Sequence, residues 1–369
     1  MQCCRSSILG RAFRRIIDLN QHADGNRLRY SLRPIAYFYQ GMTASVFPLL
    51  RLLSDGHFHP SEEIIKELGI SDNRLSDDLH ALTLSGLEIE RDPRSGCRLI
   101  TPFSPLGAAQ IESRLGANAK VFILEVVEQT GSTNEDLMLR ARQGAPNGLV
   151  RVAEMQTAGR GRRQRKWLSA PGGTLTFSLL WKFGAGFSSL SGLPLAVGVS
   201  IVRSLEAFGL QGLRLKWPND IQWRQRKLGG ILIETTADAS NSTCAVIGIG
   251  LNLRLPGSVA KRIDQPAIDL ESAGLMVGRN ELLAQLLCDL NDVLDRFGQA
   301  GFAVFRDQWQ RLHAHHDKMV TIDLGDGVQL TGKATGVDEN GALLVLSPEG
   351  ERTVYSGELS LRGADEAKQ

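Results

Sequence analysis

The sequence predicts an α+β multidomain protein with a helical N-terminal domain, a central α/β domain on a mixed sheet, and a small C-terminal β barrel. Its 369 residues are too many for one ordinary domain and suggest two or three. Apolar residues recur at helical spacing in residues 46–84, whereas strand patterns follow one another in residues 121–253. After residue 319 the strands become short and are separated by glycine turns. We therefore divide the chain into residues 42–105, 106–316 and 317–369.

The first domain is predicted to be a winged helix-turn-helix. Residues 46–53 form an amphipathic helix, Ser61 caps a second helix that stops at a glycine, and Ser71 caps a third. Two extended runs, residues 87–91 and 98–100, then surround a turn that contains proline and glycine. Three helices followed by a hairpin, with a short turn between the second and third helix, are typical of this motif.

The two later domains differ in strand length. In the central domain the strands come largely in succession, so we expect an antiparallel or mixed sheet with helices on one face. About five short strands make up residues 317–369, which predicts a β barrel of the SH3-like type. The central strands are predicted at residues 121–127, 149–154, 175–181, 213–217, 228–234 and 245–253, and the helices at 134–142, 193–208, 281–297 and 302–313.

Residues 1–41 are treated separately. The stretch before Asp18 carries four arginines and no acidic residue, which superficially resembles an organelle transit peptide. We favour the alternative of a start codon assigned too far upstream, because Met42 immediately precedes the first clear amphipathic helix. A chain that starts at Met42 is expected to match the full chain in catalytic rate and melting temperature.

Composition excludes several classes of protein. The formal net charge of +2 gives no overall attraction to nucleic acid or membranes. No apolar run approaches the roughly 20 residues that span a bilayer. The cysteines form no C-x-x-C pair, so we expect no disulfide framework and no zinc site, and we expect a cytoplasmic protein. They are Cys3, Cys4, Cys97, Cys244 and Cys288.

The sharpest local feature is the run Gly159-Arg160-Gly161-Arg162-Arg163. Glycines allow a close backbone approach, and guanidinium groups bind phosphate or carboxylate oxygens in pairs. The run matches neither the P-loop nor the dinucleotide-binding pattern. By itself, a solvated basic turn or a nucleic-acid patch explains it better than an active site.

Four further stretches carry polar groups, two of them in apolar strands. Residues 216–220 read Lys-Trp-Pro-Asn-Asp, and Lys227 begins an apolar strand, where a lysine is poorly solvated and would pair with an anion. A lysine at a hairpin edge is the ordinary alternative, and Asp220 could be a turn residue. Ser132 and Glu135 have the spacing of a capping box, which gives Ser132 a structural explanation beside a ligand-binding one. Asn252 is a lone amide in an apolar strand, and its partner could be part of the protein or a ligand.

In this order and spacing, these segments closely resemble the bifunctional biotin–protein ligase/biotin operon repressor family. The resemblance covers about residues 46–361, and its most specific parts are Gln156 with residues 159–163, residues 216–220 and residues 227–232. It implies ATP-dependent formation of biotinyl-5′-AMP with Mg²⁺. The biotinyl group would then pass to a lysine of a biotin carboxyl carrier protein, such as that of acetyl-CoA carboxylase.

The resemblance also implies roles for individual residues. Asp220 would be a candidate base or orienting group, and Lys227 would contact the reacting carboxylate and the α-phosphate. The loop residues Arg160, Gly161 and Arg162 would order over biotin and the adenylate. The remaining matches are Ser132, Thr133, Asn134 and Gln156 for biotin, and Trp167, Asn219 and Asn252, with Asp220, for nucleotide, metal or the incoming lysine.

Repressor activity is a separate question. The family resemblance implies a homodimer on operator DNA with biotinyl-5′-AMP as corepressor. The third helix, however, carries Asp72, Asp77 and Asp78 against Arg74 alone, and acidic groups oppose phosphate binding. The hairpin of residues 87–100, which would be the wing of this motif, is more basic than the third helix. We expect DNA binding from the architecture alone.

Three alternatives stay open. A lipoate-type ligase shares the fold and reaction type but is not expected to combine this arginine loop with residues 216–220. A ligand-sensing transcription factor without turnover is disfavoured by the intact Lys227 and Arg160. A histidine group near a helix end suggests either a metal site or a solvated helix terminus, and we favour the terminus; its members are His313, His315 and His316.

Overall fold

A computed structural model describes residues 46–184, 190–237, 243–325, 328–355 and 360–363. The predicted extension, residues 1–41, and Met42 lie outside these residues. In the described part of the chain, no helix is both long and apolar enough to cross a membrane.

The N-terminal part consists of three helices followed by a hairpin of two antiparallel strands. Gly69 ends the second helix in the left-handed region, at φ 63°, and Ser71 Oγ accepts a hydrogen bond from Arg74 N to cap the third. The prediction that Ser61 caps the second helix is wrong, since Ser61 is its first residue and Pro60 precedes it. The elements are α1 (Val46–Leu53), α2 (Ser61–Leu68), α3 (Asp72–Leu84), β1 (Ile89–Asp92) and β2 (Gly96–Leu99).

The central domain is built on a seven-stranded mixed sheet of order β3-β4-β5-β9-β8-β7-β6. Only the β3–β4 pair is parallel among its neighbours, and the others are antiparallel. The strands are β3 (Ile123–Thr130), β4 (Leu149–Gln156), β5 (Thr174–Phe183), β6 (Leu213–Lys216), β7 (Asp220–Trp223), β8 (Arg226–Ala237) and β9 (Thr243–Asn252). The helices are α4 (Ala108–Leu115), α5 (Thr133–Arg142), α6 (Leu193–Ala207), α7 (Gly257–Ala260), α8 (Arg279–Ala300) and α9 (Arg306–Leu312).

Helices cover both faces of this sheet, so the expectation of helices on one face is wrong. The apolar helices α6 and α8 share the main core with Val150, Leu179 and Ile247. The next residues along the same strands point the other way, and they pack against Leu137 and Ala141 of α5. Side chains alternate across a strand, so α5 must lie on the opposite face. We call this the α5 face.

The C-terminal part is a five-stranded antiparallel sheet of order β13-β12-β11-β10-β14. It meets the central domain through Trp217, whose Nε1 donates to the Gly341 carbonyl over 3.0 Å. The strands are β10 (Met319–Gly325), β11 (Val328–Val337), β12 (Leu343–Ser347), β13 (Gly350–Val354) and β14 (Ser360–Gly363).

The histidine group lies where these two sheets meet. His313 is only 5% exposed, its ring lies 4.6 Å from that of Trp309 between centroids, and its backbone is bridged to Leu215 of β6. Within the described residues neither ring nitrogen of His313 has a hydrogen-bond partner. The expectation of a solvated helix terminus is therefore wrong for His313, because its ring is buried against Trp309.

Candidate active site

We take the α5 face around Ser178 and Gly248 as the candidate binding pocket, and small and polar side chains form its floor. Ser178 of β5 lies opposite Gly248 of β9, and Thr176 lies opposite Gly250. All four are buried. Because side chains that register across a sheet point to the same side, these small residues leave space above the strands, which the Asn134 amide and the Trp167 indole enter.

The N-terminus of α5 brings polar groups to this floor. Ser132 Oγ accepts from Glu135 N over 3.5 Å, so Ser132 caps the helix. Gln156 Oε1 accepts from Thr133 N over 2.8 Å and lies 3.1 Å from Thr133 Oγ1. Ser178 Oγ lies 2.7 Å from Thr133 Oγ1 and 2.6 Å from Asn134 Oδ1. These contacts gather the predicted biotin residues into one hydrogen-bonded cluster.

The two floor glycines are required by close contacts. A Cβ atom at Gly248 would lie 2.1 Å from Asn134 Oδ1, and one at Gly250 would lie 2.5 Å from the indole of Trp167. Real Cβ atoms do not approach other atoms so closely. Gly248 therefore makes room for the Asn134 amide and Gly250 makes room for Trp167.

The arginine run forms a small hairpin beside the pocket. Trp167 N donates to Gly159 O over 2.8 Å, and Gly161 N donates to Arg165 O over 2.7 Å. Arg163 adopts positive φ of 54° at its tip, and its guanidinium lies 4.0 Å from Asp323 Oδ2 of β10. The predicted loop is thus an ordered element that contacts the C-terminal sheet.

Lys227 and Asp220 form an ion pair on the side of the pocket where Trp167 lies. Their Nζ and Oδ1 atoms are 2.8 Å apart, and the side chains are 18% and 15% exposed. Lys227 Nζ also lies 5.8 Å from the centre of the Trp167 ring. Asp220 begins strand β7, so the turn explanation for it is wrong.

Arg162 shares the electrostatics of this pair. Burial, followed by the charge of Arg163, lowers the pKa of the Arg162 guanidinium, and the Asp220 carboxylate counteracts that shift. A guanidinium stays protonated near neutral pH because its ordinary pKa is above about 12. Arg162 therefore keeps its positive charge, and the Asp220 carboxylate is near enough to act on it.

Two predicted nucleotide residues hold backbone in place. Asn219 Nδ2 donates to Ile231 O over 2.8 Å. Asn252 Nδ2 donates to Ile268 O over 3.1 Å and lies 3.4 Å from Lys227 O. Both amide nitrogens thus stabilise the strand that carries Lys227. Trp167 differs, because its buried Nε1 has no hydrogen-bond partner in the described ranges.

Comparison with known proteins places this geometry in a family. The model described as the Biotin/lipoate A/B protein ligase family matches residues 126–252, which include every predicted site residue, and the model described as the Biotin protein ligase C terminal domain matches residues 315–362. The bifunctional ligase/repressor BirA of Salmonella typhimurium is 35% identical over 317 residues, which is 86% of this chain and 97% of that protein. The chain belongs to the biotin–protein ligase family.

Two further members of the family extend the comparison. The biotin–[acetyl-CoA-carboxylase] ligase of Mycobacterium tuberculosis is 32% identical over 68% of this chain and 92% of its own length. The solved biotin protein ligase from Aquifex aeolicus, in complex with biotin and ATP, is 32% identical with a TM-score of 0.57. The match covers 65% of this chain and 98% of the Aquifex chain.

The candidate site contains residues that the sequence reasoning missed. Ser178 bridges Thr133 and Asn134, and Glu234 accepts from Asn134 Nδ2 over 2.9 Å. A signal for Ser178 is present in β5, where Thr174, Thr176 and Ser178 alternate with apolar residues. Alternating polar residues in a strand that is otherwise apolar predict a polar face, and here that face is buried.

Proposed function

We propose that this biotin–protein ligase activates biotin with ATP and transfers the biotinyl group to a lysine of a biotin carboxyl carrier protein. The observation that carries the proposal is the meeting of Lys227, Asp220 and the arginine loop at one side of a polar pocket. The pocket suits a small polar ring, and the cations suit a carboxylate and a phosphate. The carrier of acetyl-CoA carboxylase is the proposed acceptor, in line with the name of the M. tuberculosis relative.

The proposed biotin residues divide into direct and supporting roles. Thr133, Asn134 and Gln156 would bind the ureido ring, and Ser132 would hold their helix end in place through its cap. Arg160, Gly161 and Arg162 would close over the ligand as one hairpin. Closure would exclude water, which otherwise hydrolyses a mixed anhydride.

In the first step, a biotin carboxylate oxygen attacks the α-phosphorus of ATP. The bond from that phosphorus to the bridging oxygen of the β-phosphate breaks, and pyrophosphate leaves. Two anions must meet, so the positive charges of Lys227, Arg160 and Arg162 offset their repulsion and stabilise the charge that builds on phosphorus.

In the second step, a neutral lysine amine of the carrier attacks the acyl carbon and AMP leaves. The amine must lose a proton, and Asp220 is the proposed acceptor or orienting group. Because Asp220 Oδ1 lies 2.8 Å from Lys227 Nζ, it would orient Lys227 before substrates bind. Trp167, Asn219 and Asn252 would border the nucleotide.

Mg²⁺ would accompany ATP. The described residues contain no group of three His, Cys, Asp or Glu side chains that could hold a metal. Mg²⁺ commonly uses one or two carboxylates together with phosphate oxygens and water. The available donors fit this pattern, with Asp220 as the carboxylate beside Lys227, so the triphosphate would supply most of the ligands.

The test is incubation with biotin, Mg·ATP and a biotin-carrier domain, followed by mass measurement. The wild-type chain should add one biotinyl group to the carrier. Lys227→Ala should lose adenylate formation by on the order of 10²-fold or more while keeping its melting temperature. Exposed Lys120 supplies the control, and Lys120→Ala should behave as wild type. Normal pyrophosphate release by Lys227→Ala would remove Lys227 from the mechanism.

We further propose repressor activity, as the name of the Salmonella relative suggests. Residues 42–105 would be a winged helix-turn-helix that binds operator DNA of biotin genes as a homodimer, with biotinyl-5′-AMP as corepressor. Residues 106–316 would be the catalytic domain, and residues 317–369 an SH3-like barrel. The proposed location is the cytoplasm.

A further inference from the structure

Both N–H groups of the Asn134 amide are engaged by acceptors on strand β8. Nδ2 donates to the Leu232 carbonyl over 3.1 Å and to Glu234 Oε2 over 2.9 Å. A backbone carbonyl and a carboxylate can only accept, so the amide cannot turn over without losing both bonds. The oxygen atom, Oδ1, therefore faces the pocket floor beside Ser178.

This orientation decides what Asn134 can offer a ligand. An amide has two N–H donors and two acceptor lone pairs on oxygen. Leu232 and Glu234 use the donors, and the Ser178 hydroxyl at 2.6 Å uses one lone pair. What remains is one acceptor, which fits an N–H of a ligand and disfavours a ligand oxygen.

Glu234 also contacts the arginine loop. Its Oε2 lies 3.5 Å from Arg160 Nη2, and its side chain is 30% exposed at the rim of the pocket. Glu234 and Leu232 are two positions apart on β8, opposite Val246 and Gly248, so their side chains point to the α5 face. One carboxylate therefore connects the amide inside the pocket to a loop arginine outside it.

We propose that Glu234 is a positioning residue that makes the pocket selective for a ligand N–H. It holds the Asn134 amide with Oδ1 toward Ser178 and the pocket floor, where one lone pair is left for a ligand N–H, and it draws Arg160 to the same edge. The inference rests on the proposed biotin-binding function, and it concerns the ureido N–H groups rather than the reacting carboxylate.

The test compares biotin with its cyclic-carbonate analogue, in which oxygen replaces each ureido N–H, by calorimetric titration of the whole chain. Glu234→Ala should raise the Kd for biotin about tenfold or more, since it removes a hydrogen bond to a charged group. It should also narrow the preference for biotin over the carbonate, because the freed amide can turn its N–H groups toward the ligand. At saturating biotin, kcat should change much less than KM. Glu234→Gln should keep the preference, because its Oε1 can still accept from Asn134.

Two further variants make the outcome decisive. Asn134→Asp places two carboxylates together and should lose biotin affinity, whereas the Asn134→Asp/Glu234→Gln pair exchanges donor and acceptor and should regain part of it. This rescue separates positioning from general damage if Glu234→Ala folds poorly. Glu135→Gln, which neutralises an exposed carboxylate on the same helix end, is the matched control and should match wild type.

An unchanged Kd and preference in Glu234→Ala, or no rescue in the double variant, would overturn the assignment of Glu234. A wild-type chain that binds neither ligand is a different result, because it rejects the proposed function itself.

Discussion

At the scale of single residues, the site depends on side chains that are absent as much as on those present. Gly248 and Gly250 are two positions apart on β9. The Asn134 amide occupies the space that a side chain at Gly248 would take, and the Trp167 indole occupies the space at Gly250. One strand thus serves both the proposed biotin end and the proposed nucleotide end of the pocket.

The two glycines should separate these ends experimentally. Gly248→Ala should raise KM for biotin by about tenfold or more, because displacing Asn134 breaks bonds to it. Gly250→Ala should mainly raise KM for ATP, because the Trp167 ring must move. Gly144→Ala is not a suitable control since φ is 81° there; Gly257→Ala is, because nothing lies within 4 Å of the added Cβ. Identical effects on both substrates would contradict the division, and steady-state kinetics decides.

At the scale of elements, the arginine hairpin is held at its base and contacts three parts of the molecule. Its base is closed by Trp167 N to Gly159 O, and its side chains approach Glu234 and Asp323. Arg162 lies inward, near Asp220. Such anchoring would limit the closing movement that the proposed function requires of the hairpin.

We expect Arg162→Ala to form biotinyl-5′-AMP but to release it. The lost cation no longer holds the adenylate phosphate, so free adenylate should accumulate and bystander lysines should become biotinylated. Arg165→Ala, at an exposed position of the same hairpin, serves as the control. Retention of adenylate as tight as in wild type would count against this role, and chromatography of the free intermediate measures it.

At the scale of the whole molecule, the junction of the two large sheets contains the buried His313 and the half-buried His315. Burial lowers the pKa of His313 to about 3, with smaller effects from the charges of His315, His316 and Lys318. Burial, followed by the charges of Lys216 and Lys318, lowers the pKa of His315 to about 4. The unfolded chain, with histidine pKa near 6.5, therefore binds more protons than the folded chain between about pH 3 and pH 6.5.

Stability should consequently be full above about pH 6.5 and fall as the pH decreases, by up to about 1.4 kcal/mol per pH unit for each such group. His313→Phe keeps a ring against Trp309 and cannot titrate, so its melting temperature should depend less steeply on pH between 6.5 and 4. Exposed His80 provides the control, His80→Phe. Equal pH slopes in wild type and His313→Phe would contradict this origin.

DNA binding is the other property of the whole molecule. The count of three acidic residues on α3 overstated its repulsion, because Asp78 is 2% exposed and pairs with Arg74 at 2.9 Å. Burial raises the pKa of the Asp78 carboxyl. On the wing, Arg98 pairs with Glu90 at 2.7 Å, which leaves Arg91 and Arg94 as the exposed wing arginines.

We expect salt-sensitive binding to the promoter of the organism's own biotin genes, only with biotin and ATP present. Asp77→Asn should tighten it a few-fold by removing charge near phosphates, whereas Asp78→Asn should mainly reduce stability by breaking a buried pair. Glu112→Asn, exposed on α4, is the control. If no fragment of that promoter is retarded at low salt under any ligand condition, the N-terminal domain has no operator function.

The division into helical, mixed-sheet and short-strand parts could be predicted from the sequence, because hydrophobic periodicity and glycine turns are local properties. The site motifs could also be predicted, since the residue types at 159–163, 216–220 and 227–232 can be read directly. The position of α5 opposite α6 and α8, and the presence of Glu234 and Ser178 in the candidate site, became visible in the folded chain. Strand register, which is not a local property, brings Glu234 to Asn134 over 2.9 Å although 100 positions separate them. Burial likewise depends on contacts with residues that are distant in the sequence. The sequence therefore predicted a solvated His313, whereas His313 is buried in the folded chain.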